Sequence, residues 1–463
     1  MRFPDRKAFE ALRSQFHGAL IEPDDPGYGP TRTIFNAMID RRPAIIAQCA
    51  TREDVGAAVL FAKHHDLELA VRGGGHSVAG KSLTEGGLVI DLRTMHVATV
   101  DPEAMTVTVG GGATMSHLDR ATQPFGLATT GGRVSTTGVG GFTLGGGGGW
   151  LDRLFGLACD NLISAEIVTA DGGVVTASED ENPDLFWALH GGGGNFGVAT
   201  SLTLRLYELD TVTVAFLFWD PDRGVDVLKA YRDFMADAPD EIGGGAIFLT
   251  APAMEAVPTR LVGHLAFLTY IVFAGPEDEA RKVMAPLLGL EPDGSSIAEM
   301  AYADMQCSLD DPPGMRNYWS AEYLSGLPDA AVETFVRRAD SMIIPSSSQH
   351  VLFPGGGSVA RETADWPIPW RRAPWCVHPF GLWTDPADDA RGIKWAKDVQ
   401  ADMKPWATGD VYLNFIGDEG PDRIVAGLGR DNHRRLAEVK ATWDPQNLFR
   451  LNHNIAPARA AAE

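Results

Sequence analysis

Read from the amino terminus, apolar and polar positions alternate in short blocks. Residues 41–48 (RRPAIIAQ) end in an apolar run that predicts a strand. Thr51-Arg52-Glu53-Asp54 reads as a capping box with Asp in place of Glu, opening a helix through about His65. Residues 67–72 (LELAVR), 88–92 (LVIDL) and 106–109 (TVTV) predict short strands that end in turns. Strand, helix and strand alternate up to about Ser82, which points to an α+β or α/β unit rather than an all-β one. Residues 163–170 (ISAEIVTA) predict a strand before the turn Asp171-Gly172-Gly173. Residues 182–189 (NPDLFWAL) predict a helix with Pro near its first turn.

From about Thr211 the pattern changes. Alternating strands such as Val212–Trp219 and amphipathic helices such as Asp329–Ser341 predict a separate sheet-plus-helix unit. Tryptophan and proline become more frequent there (Trp366, Pro367, Pro369, Trp370, Trp375). The last ~50 residues return to compact motifs, and no period of 20–50 residues marks a repeat array.

Composition narrows the picture. The chain has 463 residues, 44% hydrophobic and 22% charged, enough for two or three globular domains. No window approaches the ~18 uncharged apolar residues of a membrane span. A net charge of −22 opposes binding to a polyanion such as nucleic acid. The four cysteines (Cys49, Cys159, Cys307, Cys376) are scattered, so free thiols and no metal site are expected. The first residues, MRFPDRKAFEALRSQF, lack an apolar signal core, and a cytoplasmic location is the default expectation. Oligomeric state is left open.

Glycine is the anomaly. The 52 glycines are bunched, at Gly73–Gly75, Gly110–Gly112, Gly145–Gly149, Gly191–Gly194 and Gly355–Gly357. Glycine lets main chain approach a ligand closely, so four such clusters in the first 200 residues point to a large ligand wrapped by backbone. In Arg72–Ser77, a histidine follows three glycines at a strand end. Backbone N–H groups there suit phosphate oxygens, and an unprotonated imidazole can act as a nucleophile. An ordinary hydrogen-bonded histidine fits the same pentapeptide. Gly-x-Gly-x-x-Gly patterns can be picked from these loops, but without the strand, helix and acidic residue of a dinucleotide fold.

The stretch Val71-Arg72-Gly73-Gly74-Gly75-His76-Ser77-Val78-Ala79-Gly80-Lys81-Ser82 resembles the flavin-attachment loop of the berberine-bridge-enzyme-like oxidases, in the vanillyl-alcohol-oxidase/PCMH superfamily. The resemblance continues, in order, through Gly138-Val139-Gly140-Gly141, Gly145–Gly149, Gly156–Asn161 and Asp184–Gly197. It ends in Tyr412-Leu413-Asn414 and Asp444–Arg450. It implies an α+β fold with a PCMH-type FAD-binding domain over residues 1–208. A substrate domain of antiparallel sheet and helices follows over 209–411, and segment 412–463 returns to the FAD domain.

The resemblance also implies FAD as cofactor, bonded through its 8α-methyl to His76. Arg72, Gly73, Gly74, Gly75, Ser77, Gly80 and Ser82 would line the cofactor from one loop, and Val134, Ser135, Thr137, Gly138, Gly140, Gly141, Gly145 and Gly147 from another. Asn161, the Ile167–Val168 backbone and Asn195 would close the site, with Tyr412 packing on the flavin and Asn414 touching its ring. Many relatives carry a second link, through a cysteine where this chain has Val134, so a single link is expected. Thr137 falls where relatives with Val tend to react with O₂ and those with Leu tend not to; its shape favours an oxidase, and its hydroxyl also permits oxygenase chemistry.

The usual base of the family is the second tyrosine of Tyr-x-Asn-Tyr, but here that position is Phe415. Tyr412 and His350 are the catalytic candidates, with Gln349 as the alternative to His350 because neighbours on a strand face opposite ways. Arg371, Arg372 and His378 are further polar candidates, and Trp366, Trp370, Trp375 and Trp383 serve either as a stacking surface or as core. The implied activity is oxidation of a small aromatic, alkaloid-like, polyketide-like or carbohydrate substrate, with O₂ as acceptor. A flavin-dependent oxygenase and a catalytically weak binding flavoprotein are the alternatives.

Overall fold

The capping box after Thr51 forms as read. In the computed structural model, which describes residues 6–459, Asp54 N–H donates to Thr51 Oγ1 (3.2 Å) and Thr51 N–H to Asp54 Oδ2 (3.3 Å), opening helix Arg52–His64. That helix packs on a four-stranded sheet ordered Ala19–Ile21, Ile45–Gln48, Leu88–Asp91, Leu69–Arg72. Leu88–Asp91 pairs parallel with both Ile45–Gln48 and Leu69–Arg72, and the helix supplies the crossover that parallel pairing needs. Leu69–Arg72 therefore ends where the Gly73–Gly75 loop begins.

A second sheet is antiparallel, in the order Ala98–Asp101, Thr106–Gly110, Val198–Arg205, Leu162–Val168, Val174–Ser178. Gly73–Gly75 and Gly110–Gly112 lie at strand ends of these two sheets, Gly145–Gly149 follows helix Val139–Leu144, and Gly191–Gly194 precedes strand Val198–Arg205.

Residues 211–383 build a third, eight-stranded antiparallel sheet. Helices Gly224–Asp237, Asp329–Ala339 and Asp389–Met403 bury one of its faces with Trp219, Phe248, Leu352 and Val377. Period-two alternation sends the neighbours the other way. Ile247, Val351 and His378 lie side by side in register on the opposite face. Helix Arg430–Trp443 then packs back on helix Pro183–Ala188 of the first part of the chain. No helix among the described residues is long and apolar enough to cross a membrane.

Helices Met115–Thr122 and Tyr302–Gln306 meet across the seam between the first two sheets and the large sheet. Asp119 is buried there, beside the Tyr302 hydroxyl and the Gln306 amide. Burial pushes the Asp119 carboxyl up to about 8, with the Gln306 amide opposing. The folded chain thus keeps a proton between about pH 4 and 8 that the unfolded chain has released, so this group makes stability fall as pH rises through that range. Asp119→Asn is expected to flatten the decline by on the order of a few kcal/mol; urea midpoints at pH 5 and pH 8 measure it. An unchanged slope would mean that Asp119 does not hold that proton.

Candidate active site

A cavity of about 360 Å³ runs between the glycine loops and the open face of the large sheet. The loop after Leu69–Arg72 forms one wall. Gly75 adopts φ +75°, a left-handed conformation that favours glycine. Gly74 and Gly138 approach so closely that a Cβ on Gly74 would lie 2.4 Å from Gly138 N. Added Cβ atoms on Gly141, Gly193 and Gly194 would meet nothing within 4 Å, so on those walls bare main chain leaves room for a ligand.

His76 lines this cavity. Its ring stacks on Phe35 (centroids 4.3 Å, 19°) and makes no hydrogen bond among the described residues. Burial holds its pKa down to about 4, so the imidazole is neutral at physiological pH and carries a free lone pair. Ser82 also lines the cavity, and its buried hydroxyl has no hydrogen-bond partner among the described residues. An uncharged nucleophilic ring, unfilled glycine walls and an orphaned hydroxyl fit a flat, phosphate-bearing cofactor such as FAD.

Gly73, Gly74, Gly75, Ser77, Val134, Thr137, Gly138, Gly140, Gly141, Gly145, Asn195, Tyr412 and Asn414 line the same cavity. Seven of the expected cofactor residues stand behind its walls instead. Arg72 is turned away, donating to Thr31 O and Thr33 O. A Cβ on Gly80 would meet Ile39, not the cavity. Ser135 is engaged through N–H (2.7 Å) and Oγ (2.6 Å) by Asp310. Gly147 N–H donates to Tyr412 Oη (3.0 Å). Asn161 Nδ2 holds Phe155 O and Leu157 O, and the Tyr207 hydroxyl donates to its Oδ1. Ile167 and Val168 back Gly197, whose missing Cβ would collide with Ile167 Cγ2 at 2.4 Å.

His350 is also placed elsewhere than expected. It is fully buried on the helix side of the sheet, where Nε2–H donates to Phe335 O (3.0 Å) and the ring stacks on Phe335. Gln349, its neighbour, faces the cavity, as do Val351 and Phe353. Tyr412 Oη accepts from Gly147 N–H and from Asn414 Nδ2 (2.9 Å), and burial pushes the phenol up to about 12. That hydroxyl fixes the loop carrying Gly147 and is poorly suited to take up a proton near neutral pH.

Arg371 is bound to Asp160 (2.8 Å) below the surface. His378 does reach the cavity, stacking on Phe415 (4.1 Å) with Nδ1–H donating to Ser320 O. The expected tryptophans are packing residues: Trp370 lies against Tyr412 and Tyr323, Trp366 on His190, and Trp375 and Trp383 in the helix layer or its edge. The cavity tryptophans are Trp150 and Trp319. Arg133, Asp311 and Phe380 also line it, and no local pattern in the sequence marks any of the five.

The glycine-walled cavity, with a neutral histidine at one end and an aromatic-faced sheet at the other, defines a flavoprotein oxidoreductase class of site. Residues 43–178 match the family described as FAD binding domain, and residues 411–456 match that described as Berberine and berberine like. (R)-6-hydroxynicotine oxidase of Paenarthrobacter nicotinovorans is 32% identical over 95% of this chain and 97% of its own. An uncharacterized FAD-linked oxidoreductase of Bacillus subtilis (strain 168) is 28% identical over 96% of this chain and 98% of its own. The crystal structure of 6-hydroxy-D-nicotine oxidase from Arthrobacter nicotinovorans superposes with a TM-score of 0.86 at 28% identity, covering 96% of this chain and 99% of that one. A Physcomitrella patens berberine-bridge-enzyme-like protein shares the fold at 21% identity, TM-score 0.86, covering 98% and 99%. The chain belongs to the berberine-bridge-enzyme-like FAD-linked oxidoreductases.

Proposed function

We propose that this protein is an oxidase that bears FAD covalently on His76 and oxidises a small organic molecule with O₂ as acceptor. The observation that carries the reading is His76 itself: a neutral imidazole on the cavity wall, without a hydrogen-bond partner among the described residues, at the end of the Gly73–Gly75 loop. Bound there, FAD supplies a two-electron acceptor for hydride. The chain holds it with main chain from Gly73–Gly75 and Gly138–Gly141, with the Ser82 hydroxyl and with Asn195. The large sheet roofs the reacting end with Val351, Phe353, His378 and Phe380, which exclude water and stack on an aromatic or sugar ring.

The test mixes the FAD-loaded protein, without air, with benzyl alcohols, 6-hydroxynicotine, glucose and chitooligosaccharides. The flavin colour is followed, and air is then admitted. Bleaching by at least one compound, and recovery in air within minutes with peroxide formed, is the expected result. A flavin that none of them bleaches points to a binding flavoprotein. A flavin that bleaches but does not recover in air is a dehydrogenase.

Thr137 supports O₂ as acceptor, because it lines the cavity without the bulk of leucine. Thr137→Leu is expected to add about 1–2 kcal/mol to the approach of O₂ and slow recovery in air roughly tenfold or more. An unchanged recovery rate would take the gate away from this position.

A further inference from the structure

Phe415 occupies the place of the family's tyrosine base and cannot accept a proton. The cavity nevertheless carries one acid without a cation. Asp311 follows helix Tyr302–Gln306 in an irregular loop, and it lines the cavity with Leu309. Its carboxylate makes no hydrogen bond and no ion pair among the described residues. The loop is tied to the segment before Thr137, because Asp310 accepts from both N–H and Oγ of Ser135.

The other ionisable groups on the cavity are accounted for. Burial holds His76, His378 and His453 down at about 4, 3 and 4. Tyr412 is pushed up to about 12. Lys81 is paired with Asp418 (2.9 Å). Arg133 donates to Gly148 O and lies 3.9 Å over the Phe353 ring. Burial first, and the neighbouring Asp310 charge second, push the Asp311 carboxyl up to about 7. A group poised there is half ionised at neutral pH, the condition in which a general base is most effective.

We propose that Asp311 is the catalytic base of this enzyme, a proposal that rests on the oxidase reading above. The substrate carries H–C–X–H, where X is oxygen or nitrogen. The X–H bond breaks and its proton passes to an Asp311 carboxylate oxygen. The electron pair left on X forms the second bond of C=X as the C–H pair departs as hydride to FAD.

The first test needs no turnover. Benzylamine offers an aromatic ring to the cavity walls and an ammonium to the carboxylate. Its binding to the FAD-loaded protein is followed by the flavin difference spectrum. Affinity is expected to rise roughly tenfold between pH 6 and pH 8, as the fraction of ionised Asp311 grows. Asp311→Asn is expected to bind weakly with no pH dependence, and Asp311→Glu to restore the dependence. Asp310→Asn is expected to move the midpoint to lower pH by removing the like charge.

The second test is anaerobic flavin reduction by whichever compounds of the panel bleach the wild-type protein. Asp311→Asn is expected to slow it about 10²-fold or more and to remove the ionisation near pH 7 from its profile. Failure to bind benzylamine, a flat wild-type titration, or an Asp311→Asn protein that matches wild type in either test overturns the proposal. If no compound bleaches the flavin, the oxidase reading fails, while the benzylamine titration still decides whether Asp311 meets a ligand. A urea midpoint close to that of the wild type shows that Asp311→Asn is folded.

Discussion

His76→Ala is expected to turn a fluorescent protein band dark. The protein is denatured in acid and run on a gel beside the variant, and the unstained lanes are viewed for flavin. Denaturation releases every flavin held only by hydrogen bonds and stacking, so fluorescence in the band reports a covalent bond. Among described residues on the cavity, His76 combines a nucleophilic atom, neutrality near physiological pH and no competing hydrogen bond. Val134, where many relatives have a second attachment cysteine, cannot form a thioether. Cys159 is fully buried behind the Gly146 loop, its N–H donating to Gly146 O, and burial raises its thiol well above the usual range, so it stays protonated. The loss in His76→Ala is therefore expected to be complete, while the native variant still retains FAD noncovalently on its glycine walls. A dark wild-type band would remove covalent attachment from the reading. A bright variant band would move the bond to another residue.

Asp444→Ala is expected to cost about 3–5 kcal/mol of stability, because it leaves a buried ammonium without its counter-ion. Lys440 and Asp444 are both fully buried and 2.8 Å apart. The Asp444 carboxylate accepts Leu448 N–H and Phe449 N–H, each at 2.8 Å, and Lys440 Nζ donates to Phe449 O and to Asn195 O. Asn195 in turn accepts Ile455 N–H (2.9 Å) and donates to His453 O (3.1 Å). One ion pair thus fastens the C-terminal turn to the loop Gly191–Gly197, and both line the cavity through Asn195 and His453. The variant is expected to release noncovalent FAD more readily in the His76→Ala background. The paired change Lys440→Met with Asp444→Leu removes both charges together and is expected to cost less than Asp444→Ala alone. Urea midpoints at unchanged slope give the comparison. Equal midpoints for wild type and Asp444→Ala would show the clasp to be energetically neutral.

Much of the local structure was legible because it is decided within a few residues. The Thr51–Asp54 box, the strand before Gly73 and the alternation over Val212–Trp219 each depend on neighbours in sequence, and each forms within a residue or two of its expected place. The glycine wall of the cavity was legible for a related reason. Bare main chain needs glycine, so its location is written in composition. His76, Thr137 and Asn195 were found because they belong to those loops.

The misplaced residues share one cause. A motif marks which residues a site needs, but not which of them face it. Arg72, Ser135, Gly147 and Asn161 stand in the right loops and serve the wall from behind, through hydrogen bonds that bind it to the rest of the fold. His350 and Gln349 differ by one position on a strand. A shift of one residue exchanges the faces, and only the helix Asp329–Ala339, packed on one side, selects which face is buried. The glycine-walled half of the cavity was legible in the residues alone, because close backbone approach requires glycine at short spacing. The sheet-roofed half of the cavity depends on packing between distant segments. Asp311, Trp319, Val351 and Phe380 come from separate strands and loops, and they become one surface only where the large sheet closes over the glycine walls.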